Sequence, residues 1–230
     1  MLPVLRRSAT LAAVRGLTVA LLSVGTAAHL GWVLEYFLDT GLSPLHSFPG
    51  ELSADGQPHR EVFRMAEWVA GAAFLLAVPP LLRVAPVHWQ GRLTVAVVCV
   101  FGLLLLLHAT FPPDCAPSVS QLCRDRDDVS ASHRIHHATS VLLTMQYVVG
   151  PATLVLWWRG GWQAIPVLVL AVELLAWAAM VALGLLGSWR FVGLAARAQL
   201  AALTVLLCAG MAYLLTIGRD VRDRWEDVPR

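Results

Sequence analysis

The sequence contains no lysine. Only 14% of its residues are charged, where an ordinary soluble domain has about 25%. Seventeen arginines carry all the basic charge, which we read as a mark of GC-rich coding and not of a selected arginine surface. A net charge of +2, with no basic cluster interleaved with aromatics, argues against nucleic acid as a partner. Walker, dinucleotide-fingerprint, nucleophile-elbow and HExxH patterns are all missing, so no motif announces a reaction. The run Arg124-Asp125-Arg126-Asp127-Asp128 alternates in sign and lacks the spaced oxygen ligands of a calcium loop, so it reads as a solvated turn.

What is abundant is apolar sequence: 57% of residues, with a mean hydropathy of +0.66. The apolar runs exceed what a soluble core helix needs, so the expected class is an all-α, polytopic membrane protein and its first partner the lipid bilayer. Six spans are predicted in a single domain, at 16–38, 61–82, 93–111, 135–158, 163–186 and 194–217, followed by a charged tail over 218–230. Arg6, Arg7 and Arg15 precede the first span, and Thr26-Ala27-Ala28 has the small residues of a signal-cleavage site. The apolar run continues about ten residues beyond it, too long for a signal core, which favours an uncleaved first helix. Pro79-Pro80 is expected to break or kink the second span near its end. Only Arg159-Gly160-Gly161-Trp162 separates spans four and five, so those two must be antiparallel neighbours. The halves show no internal repeat.

Six crossings return the chain to the side from which it started. Ten arginines fall on the side of the termini and seven on the other, which predicts cytoplasmic termini in the cell (inner or plasma) membrane. Trp89, Trp157, Trp158 and Trp162 should then mark the inner interface, and Trp32 and Trp189 the outer one.

Chemistry-bearing residues concentrate over 108–137, between spans three and four. Cys115 and Cys123 flank a seven-residue segment on the expected outer side, where disulfides persist; closing such a loop stabilises by about 2–3 kcal/mol. Cys99 and Cys208 lie within spans and read as small apolar residues. His133 and His137 share a helix face at i, i+4; with His108 and Asp114 they could hold a zinc ion with an open position, as a hydrolytic site requires. The competing reading has these histidines capping helices and bonding loop carbonyls. Within the spans lie His29, Glu35, Glu67, Glu173 and Arg197. A charge at bilayer depth costs roughly 2.5–3.5 kcal/mol on insertion scales, so these residues are expected to face the bundle interior and pair. By depth, Glu35, Glu67, His108 and Arg197 belong near the outer leaflet, and Glu173 and His29 near the midplane, where the last two could meet.

Four segments carry a resemblance: ELSADGQPHREVFR after the first span, FPPDCAPSVSQLCRDRDD after the third, SHRIHH opening the fourth and GLAARAQ opening the sixth. Together they resemble the bacterial integral membrane proteins grouped as domain of unknown function 998. The resemblance covers nearly the whole chain. It implies a helical membrane protein with a shared outward-facing polar cluster, and no particular activity. A looser likeness joins His133 and His137 to the HxxxH pair of membrane zinc hydrolases such as alkaline ceramidases and adiponectin receptors, which differ in having seven spans and zinc toward the cytosolic leaflet. Three classes therefore compete: a transporter-like or accessory membrane component, a metal-dependent hydrolase or transferase acting on lipid-linked substrates, and an extracytoplasmic redox or pH sensor.

Overall fold

A computed structural model describes residues 2–125, 128–187 and 190–226, with side chains described between residues 10 and 216. Trp189, Arg126 and Asp127 lie outside the described residues. The helices are α1 (Leu2–His29), α2 (Arg60–Val84), α3 (Trp89–Thr110), the short α4 (Gln121–Arg124), α5 (Ala131–Trp157), α6 (Ala164–Leu185) and α7 (Val192–Glu226). Six of these segments are long and apolar enough to cross a membrane, as Thr10–Tyr36, Arg60–Val84, Trp89–Thr110, Ala131–Trp157, Gly160–Leu185 and Val192–Thr216. No strand occurs among the described residues.

Apolar length makes these helices, and local chemistry ends them. Ser130 caps α5 by accepting from the His133 N–H at 3.0 Å, and His88 caps α3 by accepting from the Gly91 N–H at 3.2 Å. The first span changes character partway: after His29 the chain tightens into 3₁₀ geometry over Leu30–Tyr36. The expected break at Pro79-Pro80 does not occur, and α2 runs through both prolines to Val84. Two missing N–H donors free only the carbonyls of Leu75 and Leu76, and proline's fixed φ is already helical. Helix α7 continues past its apolar span, which ends at Thr216, and carries the charged tail as helix to Glu226.

Each spanning helix packs against the next spanning helix in the chain, and α7 closes on α1, so the six form a ring. At the contact between α2 and α3 the backbones nearly touch. A Cβ on Gly71 would lie 2.8 Å from the Gly102 carbonyl oxygen, and one on Gly102 would lie 3.0 Å from that of Gly71. Apolar burial alone cannot hold helices together in lipid, so close backbone packing of this kind matters more than it does in water. The interior core includes Phe74, Phe101, Leu104, Leu143, Leu203 and Leu206.

The two faces of the ring differ. The connections between α2 and α3 and between α5 and α6 lie on the face shared with the termini, here the terminal face. The longer connections, residues 37–59 and 111–130, cover the opposite loop face. On the terminal face Trp158 stacks on Tyr213 with ring centroids 4.7 Å apart, and Trp162 meets both rings edge-on at 5.8 and 5.5 Å. Trp157 adds an edge contact to Tyr213 at 5.8 Å. Trp158 is only 1% exposed, so it plugs the ring where the sequence placed it in an interfacial belt. It follows the last turn of α5, and its backbone N–H still bonds the Leu154 carbonyl, which turns the indole inward. Trp89, by contrast, is exposed, as a belt residue should be.

Candidate functional site

The loop face is covered by a lid tied together at several points. Cys115 and Cys123 form a disulfide with Cα atoms 6.0 Å apart. Glu51 sits at the centre. It lies in a 3₁₀ turn, Pro49–Ser53, and one carboxylate oxygen accepts from the Phe48 N–H at 3.0 Å. The other accepts from the Ser118 N–H at 2.9 Å and the Ser118 hydroxyl at 2.5 Å, joining the first loop to the disulfide loop. The Asp55 N–H adds a bond to the Pro113 carbonyl at 2.9 Å. Three charge-assisted acceptor bonds on one buried carboxylate make a stiff joint.

Asp114 fastens the lid to α5. Its carboxylate accepts from the Ser130 N–H at 2.9 Å and the Ser130 hydroxyl at 2.5 Å, and its N–H donates to His133 Nδ1 at 3.2 Å. The Ser132 hydroxyl bonds the Pro112 carbonyl at 2.7 Å. The FPPDC segment thus works as an anchor for the start of α5. His137 faces outward and is exposed. His108, Asp114, His133 and His137 are therefore not gathered at one point. Among the described residues no three of His, Cys, Asp and Glu converge as metal ligands. Helical spacing puts His133 and His137 on one face of α5, but that face is not the one turned toward His108.

The histidine that meets His108 is His136. The two rings lie 3.8 Å apart at 32°, and both are buried. His108 Nδ1 bonds a Glu67 carboxylate oxygen at 2.9 Å, and its Nε2 lies 3.1 Å from the Ser140 hydroxyl. His136 Nδ1 faces only carbonyls, those of Phe111 at 3.1 Å and His108 at 3.3 Å, so it carries the proton and Nε2 keeps its lone pair. That lone pair points at the lid: a Cβ on Gly50 would stand 3.0 Å from His136 Nε2 and 3.3 Å from His108 Nε2. A larger residue at Gly50 would press on both rings.

The order Glu67–His108–Ser140 is carboxylate, imidazole, hydroxyl. Ser140 can give its proton to the His136 carbonyl, 2.8 Å away, or to His108 Nε2. In the first case His108 Nε2 donates to the Ser140 oxygen, and in the second it accepts. The arrangement can therefore pass a proton along a three-residue line without moving a heavy atom.

A second pair lies on the opposite side of the ring. Arg197 of α7 forks onto Glu35, with Nε to one carboxylate oxygen and Nη2 to the other, both at 2.5 Å. Its Nη1 donates to the carbonyls of Ser47 at 2.7 Å and Gly193 at 3.0 Å. Arg197 and Glu35 are both buried. Gly193 is required here, because a Cβ would lie 2.5 Å from the Ser47 oxygen and 2.6 Å from that of Pro44. The Gly193 N–H also bonds the Leu45 carbonyl at 3.1 Å, so the first loop is docked on the start of α7.

The remaining polar residues separate. His29 packs edge-on against Phe101 at 5.6 Å and lies within electrostatic reach of Glu67. Glu173 of α6 is fully buried, with the Gln199 amide of α7 beside it, near enough to interact but in poor hydrogen-bond geometry. No hydrogen bond joins Glu173 to His29, the partner expected from depth. Residues that sequence reasoning did not pair or single out include His136, Ser140, Glu51, Tyr147 and Gln199. His136 and Ser140 had a signal, since they share a helix face at i, i+4. Gln199 had another, as an amide in an otherwise apolar run.

No curated protein and no solved structure matches the chain. Residues 23–213 match the model of the family described as Protein of unknown function (DUF998), and the chain belongs to that family of proteins.

Proposed function

We propose that the protein is a transporter-like or accessory component of the cell membrane whose working site is the polar group beneath the loop-face lid. The site opens away from the cytoplasm, with both termini cytoplasmic. The observation that carries this reading is the His136 Nε2 lone pair, buried beside His108 and aimed at the lid backbone at Gly50. A neutral nitrogen poised next to a carboxylate–imidazole pair accepts a hydrogen bond from a polar head group once the lid moves. The disulfide supports an oxidising compartment on that face, and the arginine excess supports the cytoplasm on the other. The aromatic plug of Trp158, Tyr213 and Trp162 argues for access from one side. The test is thiol access to Ser140→Cys in a Cys99→Ala, Cys208→Ala background. A membrane-impermeant maleimide should modify it in right-side-out vesicles and not in inverted ones. The reverse pattern contradicts the reading.

A second reading, hydrolysis of a lipid-linked ester, is favoured by one observation: the Glu67–His108–Ser140 order, at 2.9 and 3.1 Å, matches the spacing of a nucleophile, base and orienting acid. No metal is needed for this chemistry. A fluorophosphonate probe decides between the two. The favoured non-enzymatic reading predicts no adduct on Ser140. An adduct that disappears in both Ser140→Ala and His108→Ala establishes the enzyme.

A further inference from the structure

The deep interior holds a group that neither pair uses. Glu173 stands midway along α6, 0% exposed, and neither carboxylate oxygen has a hydrogen-bond partner among the described residues. Gln199, also 0% exposed, faces it from α7 with both amide atoms unpartnered. Buried polar groups in folded proteins are almost always satisfied, and four unmet atoms at one helix contact need an explanation. An ionised carboxylate left alone in such a place is strongly disfavoured and takes up a positive charge.

The surrounding groups do not neutralise it. From α7, Arg197 lies half a turn from Gln199, but its guanidinium is spent on Glu35, Ser47 and Gly193. From α5, the titratable group within electrostatic reach is Tyr147, which also lies within reach of Glu67. Tyr147 is buried and meets Phe101 edge-on at 6.2 Å. The interior thus carries polar groups in the order Glu67, Tyr147, Glu173, descending from beneath the lid toward mid-bundle. The packed core surrounds them, and the aromatic plug closes the terminal face.

We propose that Glu173 and Gln199 form an intramembrane binding site for one monovalent cation, a proton or a sodium ion, which enters from the loop face. Three oxygens are available, two from the carboxylate and one from the Gln199 amide. One positive charge cancels the carboxylate: a sodium ion contacts these oxygens directly, and a proton turns one carboxylate oxygen into an O–H that donates to the Gln199 oxygen. If the transporter-like reading holds, this is where a driving ion would sit. The site itself stands on the burial and the unmet atoms, and does not depend on that reading.

The test is labelling of the full-length protein in vesicles with N,N′-dicyclohexylcarbodiimide, an apolar reagent that adds to un-ionised carboxyl groups. Labelled peptides are mapped by mass spectrometry. An adduct on Glu173 is expected at low pH. For a proton site, its yield falls about tenfold per pH unit once the proton is lost, with or without sodium. For a sodium site, the yield at fixed pH falls on adding sodium chloride and stays unchanged with choline chloride. Either pattern supports the proposal and names the ion. An adduct on Glu173 insensitive to both pH and sodium, or no adduct on Glu173 at any pH, overturns it. Glu173→Gln serves as the control that removes the signal. Should that variant fail to fold, the wild-type peptide map alone still decides. Failure here leaves the lid-side site untouched, since the thiol-access test of Ser140→Cys is independent of it.

Discussion

Arg197→Ala is expected to destabilise the bundle by about 3–5 kcal/mol, because it leaves Glu35 charged, buried and alone. The magnitude follows from what the guanidinium does. It donates four bonds, two to the Glu35 carboxylate and one each to the carbonyls of Ser47 and Gly193. Removal therefore unpairs a carboxylate and two carbonyls, and leaves the first loop held to α7 by the backbone bonds at Leu45 alone. Arg197→Lys should rescue little, since a single ammonium cannot span both carboxylate oxygens and the two carbonyls. Removing both charges is a different matter. Glu35→Leu with Arg197→Met should recover much of the loss, as buried ion pairs often do no better than well-packed apolar side chains. Thermal unfolding of the detergent-solubilised protein, with chemical denaturation for the energies, checks all three variants. A single Arg197→Ala within 1 kcal/mol of wild type would show that the pair is hydrated in solution.

Trp158→Ala should cost a comparable amount, about 3–5 kcal/mol, for an unrelated reason. Trp158 is among the largest fully buried side chains, and its ring holds Tyr213 and Trp162 in place. Truncation leaves a hole that its neighbours cannot close without shifting, and the lost contacts with Tyr213 and Trp162 add to the cost. Loss of this ring has a second consequence that stability alone does not register. With the plug gone, aqueous reagents gain entry from the terminal face. Ser140→Cys should then become modifiable in inverted vesicles only when combined with Trp158→Ala. Trp158→Phe, which retains most of the ring volume, should stay closed.

The architecture was legible because its signal is simple. Twenty or more apolar residues in a row leave little choice but a spanning helix. The predicted ends fell inside the observed ones where polar residues open a helix. The fourth span was expected from residue 135, yet α5 starts at Ala131, because Ser130 and Asp114 cap a first turn that hydropathy reads as loop. The cysteine pair was legible from compartment logic, and the two residues are bonded.

The pairings within the ring were not legible, and the reason is physical. A membrane helix is apolar toward lipid and apolar toward its neighbours, so its sequence barely records which face looks inward. The rotation of α5 shows this. Spacing grouped His133 with His137 correctly, but the face turned toward His108 belongs to His136 and Ser140. Depth was a better guide than rotation. Glu35 and Arg197 were placed at one level, and the ring closure of α7 on α1 makes them partners. Depth misled for Glu173 and His29, which share a level while His29 turns to Phe101 and Glu173 toward α7. The tryptophans follow the same logic, because an interfacial position in sequence does not say whether an indole faces lipid or the bundle axis.

The central claim is that a buried histidine pair opens to one side of the membrane only, and side-resolved alkylation of Ser140→Cys measures that directly. With the Cys115–Cys123 disulfide intact, the maleimide should react slowly from the loop face and not at all from the terminal face. Reducing the disulfide should speed the loop-face reaction by loosening the lid, and leave the terminal face silent. Modification from the terminal face in a protein with Trp158 intact would contradict the account.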